Sequence, residues 1–307
     1  MRACAPGKLV LSGAYSVLEG APAIVTAVDR YVCADASRPA RFVTPEVRAA
    51  LPDAEAPDFE ASALRDDGRK LGLGSSAAIL VASLAAVDAR HFDTEHELRH
   101  GIFLGALAAH RQAQGGGSGI DVAASTWGGT LIAARGASGE LELEPIPLPS
   151  ELVVEAWASQ VSASTPELLG AVARWRERSP SEHAALMGAL RTAAERAATA
   201  LRNGQTLDLI TELVQQRVGF SALGRAAGVP IVTPEVERLA LATDPRAAAV
   251  LPSGAGGGDI VLWLSDRISP PGFRALAASL GHHQLSLSVH ARGVHRCLPE
   301  STPHRGS

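Results

Sequence analysis

Three glycine-rich stretches are the parts of this sequence best suited to chemistry. They are LGLGSSAA at 71–78, QGGGSGID at 114–121 and PSGAGGGD at 252–259. Glycine loops allow backbone N–H groups to approach and surround an anion. A loop that leads into a helix adds the partial positive charge of the helix N-terminus. The three stretches therefore predict a site for phosphate groups.

Two common phosphate-binding patterns do not account for these loops. No stretch matches the P-loop pattern G-x-x-x-x-G-K-[ST]. Gly72, Gly74 and Ala77 match the letters of the dinucleotide-binding pattern, but residues 62–71 are polar and do not resemble the buried strand that must precede it. Ser75 and Ser76 favour a nucleotide-using kinase, because their hydroxyls can cap a helix or bind phosphate or magnesium. A plain helix cap without a ligand is the alternative.

The hydrophobic pattern of the first half predicts the elements that position these loops. Runs rich in Val, Ile and Leu between turns, or following the glycine loop, predict strands at 7–12, 22–34, 120–133 and 138–147. Apolar residues at i, i+3 and i+4 predict helices at 75–90 and 95–113. The polar, proline-bearing stretch 38–68 indicates a surface excursion. Pro145, Pro147 and Pro149 mark a domain joint, since closely spaced prolines cannot continue a strand ladder.

The second half contains the same mixture of patterns. Strands are predicted at ELVVEAWAS (151–159), GDIVLWLSD (258–266) and HQLSLSVHA (283–291). Helices are predicted at 180–203, at 205–227, from Thr233-Pro234-Glu235 onward, and at PGFRALAASLG (271–281). The fold class is therefore predicted to be α+β. The predicted domains are 1–149 and 150–307, with a disordered tail at 299–307.

Composition excludes several classes of protein. The chain has 307 residues, enough for two domains, and its net charge of -4 predicts no general attraction to nucleic acid or anionic lipid. We expect no signal peptide and no membrane helix, hence a cytoplasmic protein. The cysteines Cys4, Cys33 and Cys297 are odd in number and lack metal-ligand spacing, which predicts that they are reduced.

Three segments in order along the chain resemble the motifs of the GHMP kinase superfamily. They are APGKLVLSGAYSVLEG at 5–20, GLGSSAA at 72–78 and SGAGGGD at 253–259, here called the first, second and third motifs. Further stretches resemble the phosphomevalonate kinases: AHRQAQGGGSGIDVAASTWGG at 109–129, SASTPELL at 162–169 and LGRAAGVPIVTPE at 223–235. The ASTWGG segment also resembles mevalonate kinases. The resemblance extends over nearly the whole chain.

The resemblance implies a two-lobed fold and assigns roles to residues. A ribosomal-protein-S5-domain-2-like lobe would precede a ferredoxin-like lobe, with ATP in the cleft between them and Mg2+ as a second cofactor. Lys8 and Asp121 match the catalytic lysine and aspartate, and Ser76 would also bind the metal. A solvated turn lysine and an Asx-turn aspartate are the alternatives. The implied nucleotide-binding residues are Gly72, Leu73, Gly74, Ser75, Ser76, Ala77, Gly256 and Gly257.

The resemblance also implies an acceptor site, with departures from the usual pattern. The implied substrate-binding residues are Ser12, Tyr15, His110, Ser118, Ser164, Thr165 and Gly254. Tyr15 could equally be a packing residue, and Ser164 a helix cap. Ala14 stands where the family usually has glutamate, and Leu251 where a basic residue is common. A phosphorylated acceptor needs cations, for which Arg30, Arg69, Lys70 and Arg111 are candidates.

Three functions remain open from the sequence. The first is the ATP- and Mg2+-dependent phosphorylation of 5-phosphomevalonate to the diphosphate, in isoprenoid precursor synthesis. The second is phosphorylation of the hydroxyl of mevalonate or another small alcohol. The third is a non-catalytic paralogue that binds a nucleotide or metabolite, an interpretation that Ala14 and Leu251 favour and that Lys8 and Asp121 oppose.

Overall fold

Two antiparallel sheets with helices packed on them form the frame of the chain. The computed structural model describes residues 1–66, 68–136, 139–159 and 164–297. It confirms the α+β class predicted from the sequence. No helix within these ranges is long and apolar enough to cross a lipid bilayer. The predicted disordered tail at 299–307 lies outside the described residues.

The first sheet is built around a long strand at the N-terminus. This strand, β1 (Arg2–Ser12), pairs along its length with β2 (Ala23–Pro39), whose Ile, Val, Thr and Tyr residues favour extended backbone. The other strands of this sheet are β3 (Pro57–Glu60), β6 (Thr130–Arg135), β7 (Leu141–Pro145) and β12 (His295–Cys297). The main order is β12-β1-β2-β6-β7, so β1 is an interior strand.

Helices cover one face of the first sheet. They are α1 (Pro45–Ala50), α2 (Ser75–Asp88), α3 (Glu95–Gln114) and α4 (Ile120–Trp127). The helix α2 crosses β1 and β2, and its residues from Ala77 to Ala86 are all buried. A short hairpin of β4 (Arg65–Asp66) and β5 (Arg69–Lys70) leads into the loop before α2. The N-terminus of α2 is thereby fixed beside β1.

The second sheet and its helices come from the later part of the chain. Its strands are β8 (Val153–Ser159), β9 (Ala248–Pro252), β10 (Ile260–Ser265) and β11 (His282–Gln284), in the order β11-β8-β10-β9. The accompanying helices are α5 (Thr165–Arg178), α6 (Pro180–Arg202), α7 (Thr206–Ala227), α8 (Pro234–Leu241) and α9 (Pro271–Ser279). Buried residues of both sheets share one hydrophobic core, and a second cluster around Trp157, Trp263 and Phe273 belongs to the second sheet with α8 and α9.

The stretch 120–133, predicted as a strand, is a helix followed by a strand. Gly119, in the left-handed conformation at φ 81°, begins α4, and β6 starts only at Thr130. Residues Val122 to Thr126 are buried on every side, so the apolar run reflects burial rather than extended backbone. A short apolar run does not by itself distinguish these two cases.

Two further predictions are corrected. The excursion 38–68 contains the helix α1, capped by Thr44, whose Oγ1 accepts a hydrogen bond from the Val47 N–H at 3.3 Å. The segment 283–291 forms a strand only to Gln284, because the chain then leaves β8 and crosses to the first sheet. There the Ser288 N–H donates to Asp29 Oδ1 at 2.6 Å.

The sheets divide where the domain joint was predicted, but the end of the chain does not stay with the second sheet. β7 ends at Pro145 and β8 begins at Val153, on either side of the expected boundary at 149/150. The segment after Leu285 returns to the first sheet, where β12 pairs with β1. The division into two domains, 1–149 and 150–307, therefore stays a prediction.

Candidate active site

Lys8 is held between β1 and the loop that precedes α2. Its backbone N–H donates to the Leu73 carbonyl at 2.9 Å, and its Nζ donates to the Gly72 carbonyl at 3.1 Å. Gly74 has φ 76°, and a Cβ on it would lie 3.0 Å from both Cγ and Cε of Lys8. The positive φ and this close contact with the lysine side chain both favour glycine at residue 74.

The N-terminus of α2 is the centre of the second motif. Gly74 is the N-cap residue, in the left-handed conformation, and Ser75 and Ser76 are the first two residues of the helix. The N-cap position is therefore held by a glycine and not by a serine, which does not match the alternative of a plain serine cap. Both serines are half-buried, and the first N–H groups of a helix lack intrahelical acceptors. This arrangement offers N–H and O–H donors to an anion.

The third motif packs directly on the second. A Cβ on Gly72, at φ 71°, would lie 2.7 Å from the Cβ of Asp259. Gly257 donates its N–H to the Ile231 carbonyl at 3.0 Å, and a Cβ on Gly256 would lie 2.1 Å from the same oxygen. These glycines therefore bring Asp259 beside the phosphate loop. The sequence analysis did not select Asp259, although it closes the run of glycines in this motif.

Asp121 stands in the first turn of α4, close to Lys8. Its Oδ1 accepts a hydrogen bond from the Val122 N–H at 3.0 Å, and its Oδ2 lies 3.3 Å from His110 Nε2. The hydroxyl of Ser125, one turn later, donates to the Pro6 carbonyl at 2.8 Å and so fastens α4 to β1. The local bond to Val122 matches the Asx-type alternative, but it leaves Oδ2 directed at another side chain.

The charges around Lys8 act in opposite directions. Burial lowers the pKa of Lys8, while the negative charges of Asp121 and Asp259 raise it, and the net result lies below the ordinary value. The two carboxylates therefore support the charged ammonium in a site where desolvation opposes it. The structure thus brings together Lys8, Asp121 and the second motif, as the sequence analysis expected.

His110 is buried beside Asp121 and a second carboxylate. Only 4% of it is exposed, and neither ring nitrogen has a well-formed hydrogen bond within the described residues. Glu46, from α1, accepts a hydrogen bond from Gln114 Nε2 at 3.0 Å. Burial raises the pKa of Glu46, but hydrogen bonds from Gln114, Thr44 and its own backbone, with the charge of His110, lower it overall. Nothing in the sequence around Glu46 pointed to this neighbour.

The four candidate cations differ in their surroundings. The guanidinium of Arg30 donates to the carbonyls of Ser286 and Ala63, so it is used within the fold. Arg69 and Lys70 are exposed in β5. Arg111, next to His110 in α3, has two buried guanidinium nitrogens without a hydrogen-bond partner among the described residues. A buried guanidinium of this kind is costly unless an anion accompanies it.

Two residues of the first motif connect the two halves of the molecule. The Ser12 hydroxyl donates to Gln216 Oε1 at 3.2 Å and accepts from Gln216 Nε2 at 2.8 Å, and both residues are buried. The Tyr15 hydroxyl donates to the Ala255 carbonyl of the third motif at 2.6 Å. Burial raises the pKa of Tyr15, so it remains a neutral donor. Their substrate-binding roles stay predictions.

The remaining predicted substrate residues are not brought into described contact with Lys8 or Asp121. Ser118 is half-buried in the loop between α3 and α4. Gly254, at φ 76°, has open space around a Cβ apart from Val10 Cγ2 at 4.0 Å. Ser164 and Thr165 are exposed at the start of α5, where Ser164 is the N-cap residue without a side-chain cap in the described part of the chain. Their roles in binding stay predictions.

The two departures from the family pattern occupy packed positions. Ala14 is 6% exposed and Leu251, in β9, is 1% exposed, and both belong to the main core. They fill space beside the first and third motifs. The Lys8 and Asp121 geometry is formed in their presence.

Comparison with known proteins finds one family match and several similar kinases. Residues 54–129 match the family described as GHMP kinases N terminal domain. A phosphomevalonate kinase from a Streptomyces species is 29% identical, over 85% of this chain and 89% of the relative. A mevalonate kinase from Archaeoglobus fulgidus is 28% identical, over 89% of this chain and 95% of the relative.

A solved structure shares the fold. The phosphomevalonate kinase of Streptococcus pneumoniae, solved in complex with phosphomevalonate and AMPPNP, superposes with a TM-score of 0.73 at 17% identity. The match covers 94% of this chain and 99% of that one. Residues 54–129 thus match a GHMP kinase N-terminal domain, and over most of its length the chain is similar to phosphotransferases that act on phosphomevalonate or mevalonate.

Proposed function

We propose that this chain transfers the γ-phosphoryl group of ATP to the phosphate of 5-phosphomevalonate, giving 5-diphosphomevalonate, in the cytoplasm. The observation that carries the proposal is the position of Lys8. Its Nζ lies 3.1 Å from the Gly72 carbonyl, beside the N-terminus of α2, with Asp121 and Asp259 close enough to raise its pKa. A cation held at a phosphate loop by two carboxylates is suited to phosphoryl transfer.

The nucleotide phosphates would lie on the second motif. The first N–H groups of α2, at Ser75, Ser76 and Ala77, point toward this end, and the absence of a side chain on Gly74 leaves the loop open to close approach. The hydroxyl of Ser76 is not used to cap the helix, which fits a role as an oxygen ligand of Mg2+. When bound, Mg2+ neutralises charge on the β- and γ-phosphates.

Lys8 would stabilise the charge on the transferring group. A charged donor in a site that excludes water acts more strongly than in solution, and its removal typically costs about 100- to 1,000-fold in kcat. The hydrogen bond to Gly72 and the contact with Gly74 hold its ammonium in place before substrates bind. The protein therefore does not have to reorganise this charge during the reaction.

The role of Asp121 depends on the chemistry of the acceptor. The second pKa of a phosphate monoester is about 6, so at neutral pH its oxygen is already largely ionised and needs no base. Asp121 would then act by keeping Lys8 charged and the site oriented. A hydroxyl acceptor must instead lose its proton, and Asp121 would be the base.

Arg111 is the cation best placed by its surroundings to bind the phosphate of the acceptor. Two of its guanidinium nitrogens are buried and unpartnered among the described residues, and it directly follows His110 in α3. A guanidinium forms two parallel hydrogen bonds to a phosphate, which gives both charge compensation and orientation. An acceptor without a phosphate would leave this buried charge uncompensated.

Phosphorylation of mevalonate is the second candidate. The 28% identity to a mevalonate kinase and the ASTWGG segment at 124–129 favour it. A non-catalytic role receives less support, because Ala14 and Leu251 fill the core and leave Lys8 and Asp121 in place. The two catalytic candidates share the site and differ in the acceptor atom.

The release of ADP from Mg-ATP, measured with 5-phosphomevalonate and with mevalonate, tests the proposal. We expect turnover with the phosphorylated acceptor alone. Arg111→Ala should raise the KM for that acceptor by about 10-fold or more, the loss of a charged hydrogen bond, without raising the KM for ATP. Arg196→Ala, an exposed arginine on α6, is the matched control.

The outcomes separate the candidates. Turnover with mevalonate alone would establish the second candidate and contradict the first. The absence of turnover with both acceptors would contradict both. An Arg111→Ala variant with unchanged constants would leave the acceptor assignment in place but remove Arg111 from the site.

A further inference from the structure

The three cysteines, far apart in the sequence, meet on one face of the first sheet. Cys4 in β1 lies opposite Cys33 in β2, and residues directly opposite in an antiparallel pair project to the same face. Cys297 in β12 lies opposite Arg2, two residues from Cys4, and therefore on the same face. The three sulfur atoms all lie within 4.8 Å of one another. The sequence spacing gave no indication of this group.

The chemistry of sulfur limits what this group can form. The Cys4 sulfur is in bonding contact with both Cys33 and Cys297, with Cα separations of 4.1 Å and 6.2 Å. One cysteine sulfur takes part in only one disulfide, so both contacts cannot be covalent in the same molecule. Any single disulfide leaves the third thiol unused. A ligand that engages all three sulfurs at once suits the arrangement better.

We propose that the reduced cysteines, here called the thiolate cluster, bind one thiophilic divalent ion, with Zn2+ as its representative. Sulfur atoms around a tetrahedral zinc at the usual bond length lie about 3.8 Å apart. The Cys4 sulfur is closer than this to both other sulfurs, so binding requires the side chains to separate, and the Cα separations of 4.1 Å and 6.2 Å leave room for that. Cys4 is 6% exposed, whereas Cys33 and Cys297 are half-buried and leave a path for the ion and for a fourth ligand such as water.

The charges around the cluster favour thiolates. Arg2, opposite Cys297, has a buried Nε without a hydrogen-bond partner among the described residues, and the same Nε forms a long ion pair with Asp35 at 4.0 Å. An adjacent guanidinium lowers the pKa of a thiol. Three thiols that bind one divalent ion release three protons and leave a net charge of -1, which Arg2 would compensate. Binding should therefore strengthen as the pH rises.

The bound ion would fasten the end of the chain to the sheet. β12 is short, from His295 to Cys297, and pairs only with β1 in the described sheet. An ion shared by Cys297, Cys4 and Cys33 would join three adjacent strands. Because the unfolded chain does not present these residues together, binding should raise the stability of the folded state.

Metal titration of the full chain, reduced and held without oxygen, tests the proposal. We expect one Co2+ per chain with a thiolate-to-cobalt charge-transfer band, its displacement by Zn2+, and a rise in Tm with either ion. Cys4→Ser should weaken metal binding by more than about 100-fold. Loss of a residue that only supports a metal ligand already costs about 10- to 100-fold in metal affinity, and Cys4 would be a ligand itself. Cys33→Ser and Cys297→Ser should act in the same direction.

A matched control distinguishes the cluster from other ligands. His96 and His100, one turn apart on α3, are in edge-to-face contact with ring centroids 4.4 Å apart and offer a competing surface site. The double variant His96→Gln, His100→Gln should leave the stoichiometry, the band and the Tm shift unchanged. Kinase activity of the Cys4→Ser variant shows whether that variant is folded. If it is not folded, the Cys297→Ser variant is used in its place.

Three results would overturn the proposal. One is a reduced, active protein that gives no thiolate-to-cobalt band. Another is binding that survives the loss of Cys4 and Cys297 but disappears with the histidine pair. The third concerns protein purified in the presence of zinc. If it contains no bound metal and only one free thiol per chain, the other two cysteines form a disulfide, which would then be the stable state.

Discussion

β1 carries a different site near each end, and the two sites are built in different ways. Lys8 meets a loop whose conformation depends on glycines at 72 and 74, so its surroundings are encoded in short local motifs. Cys4 meets Cys33 and Cys297, which are 29 and 293 residues away, so its surroundings depend on the pairing of three strands. Only the first kind of site leaves a pattern in the sequence.

The two sites also differ in how they hold charge. Around Lys8, a cation is buried and two carboxylates, Asp121 and Asp259, support it. Around Cys4, the groups that can become anionic are the thiols, and Arg2 is the neighbouring cation. Between them the Pro6 carbonyl accepts the hydrogen bond from Ser125. We expect changes at one end of β1 to act weakly on the other.

The largest expected effect comes from Gly74→Ala. The new Cβ, at φ 76°, would lie 3.0 Å from the Lys8 side chain and displace its ammonium. A displacement of about 1 Å can cost roughly 100-fold in rate, so for the smaller shift needed here we expect about a 10-fold loss in kcat, together with a higher KM for ATP. Steady-state ADP release measures both constants.

Gly204→Ala provides the matched control for this substitution. Gly204 also has positive φ, at 65°, but a Cβ there meets nothing within 4 Å. It should therefore lose stability of about 1 kcal/mol from backbone strain and keep its kcat. Equal losses of activity in the two variants would mean that strain, rather than the contact with Lys8, accounts for the effect. Metal binding at the thiolate cluster should be unchanged in both.

The residues of the candidate site that were selected from the sequence lie within motifs. Lys8, Asp121 and the glycines of the second motif were all selected, and most long helices had nearly correct bounds, such as 205–227 against Thr206–Ala227. Helical periodicity over more than 20 residues is a strong signal. Glycine motifs are likewise short, so they can be identified without knowing which distant segments pair.

The rest could not be predicted because it depends on tertiary contacts. Asp259 reaches the site only through its packing on Gly72, and Gln216 only because α7 lies against β1. The eight residues of α4 were assigned to a strand because burial on all sides removes helical periodicity. The chain crosses to β12 after the segment 283–291, whose alternating pattern had predicted a strand. This crossing, which completes the first sheet and the cysteine group, was therefore not predicted.

A smaller effect is expected from Asp121→Asn, and it concerns pH. The negative charge of Asp121 raises the pKa of Lys8 against the lowering by burial. Its removal should lower the pKa of Lys8 further, so the ammonium loses its proton at a lower pH. If charged Lys8 is required, the alkaline limb of the kcat profile moves toward lower pH. An unchanged limb, or one moved upward, would contradict this link between the two residues.

The smallest expected effect, from Ser125→Ala, tests whether the two ends of β1 are separate. The variant removes the hydrogen bond from α4 to the Pro6 carbonyl and leaves that buried acceptor unpaired, at a cost of about 1–3 kcal/mol in unfolding free energy. Because α4 also packs through Val122 and Ala123, we expect kcat to fall less than stability suggests. Denaturant unfolding and ADP release measure the two quantities. The affinity of the thiolate cluster for Co2+ should remain within about twofold, since Cys4 keeps its pairing with β2 and β12. A large loss of metal affinity would show instead that Pro6 transmits changes along β1, and the two sites would then have to be treated as coupled.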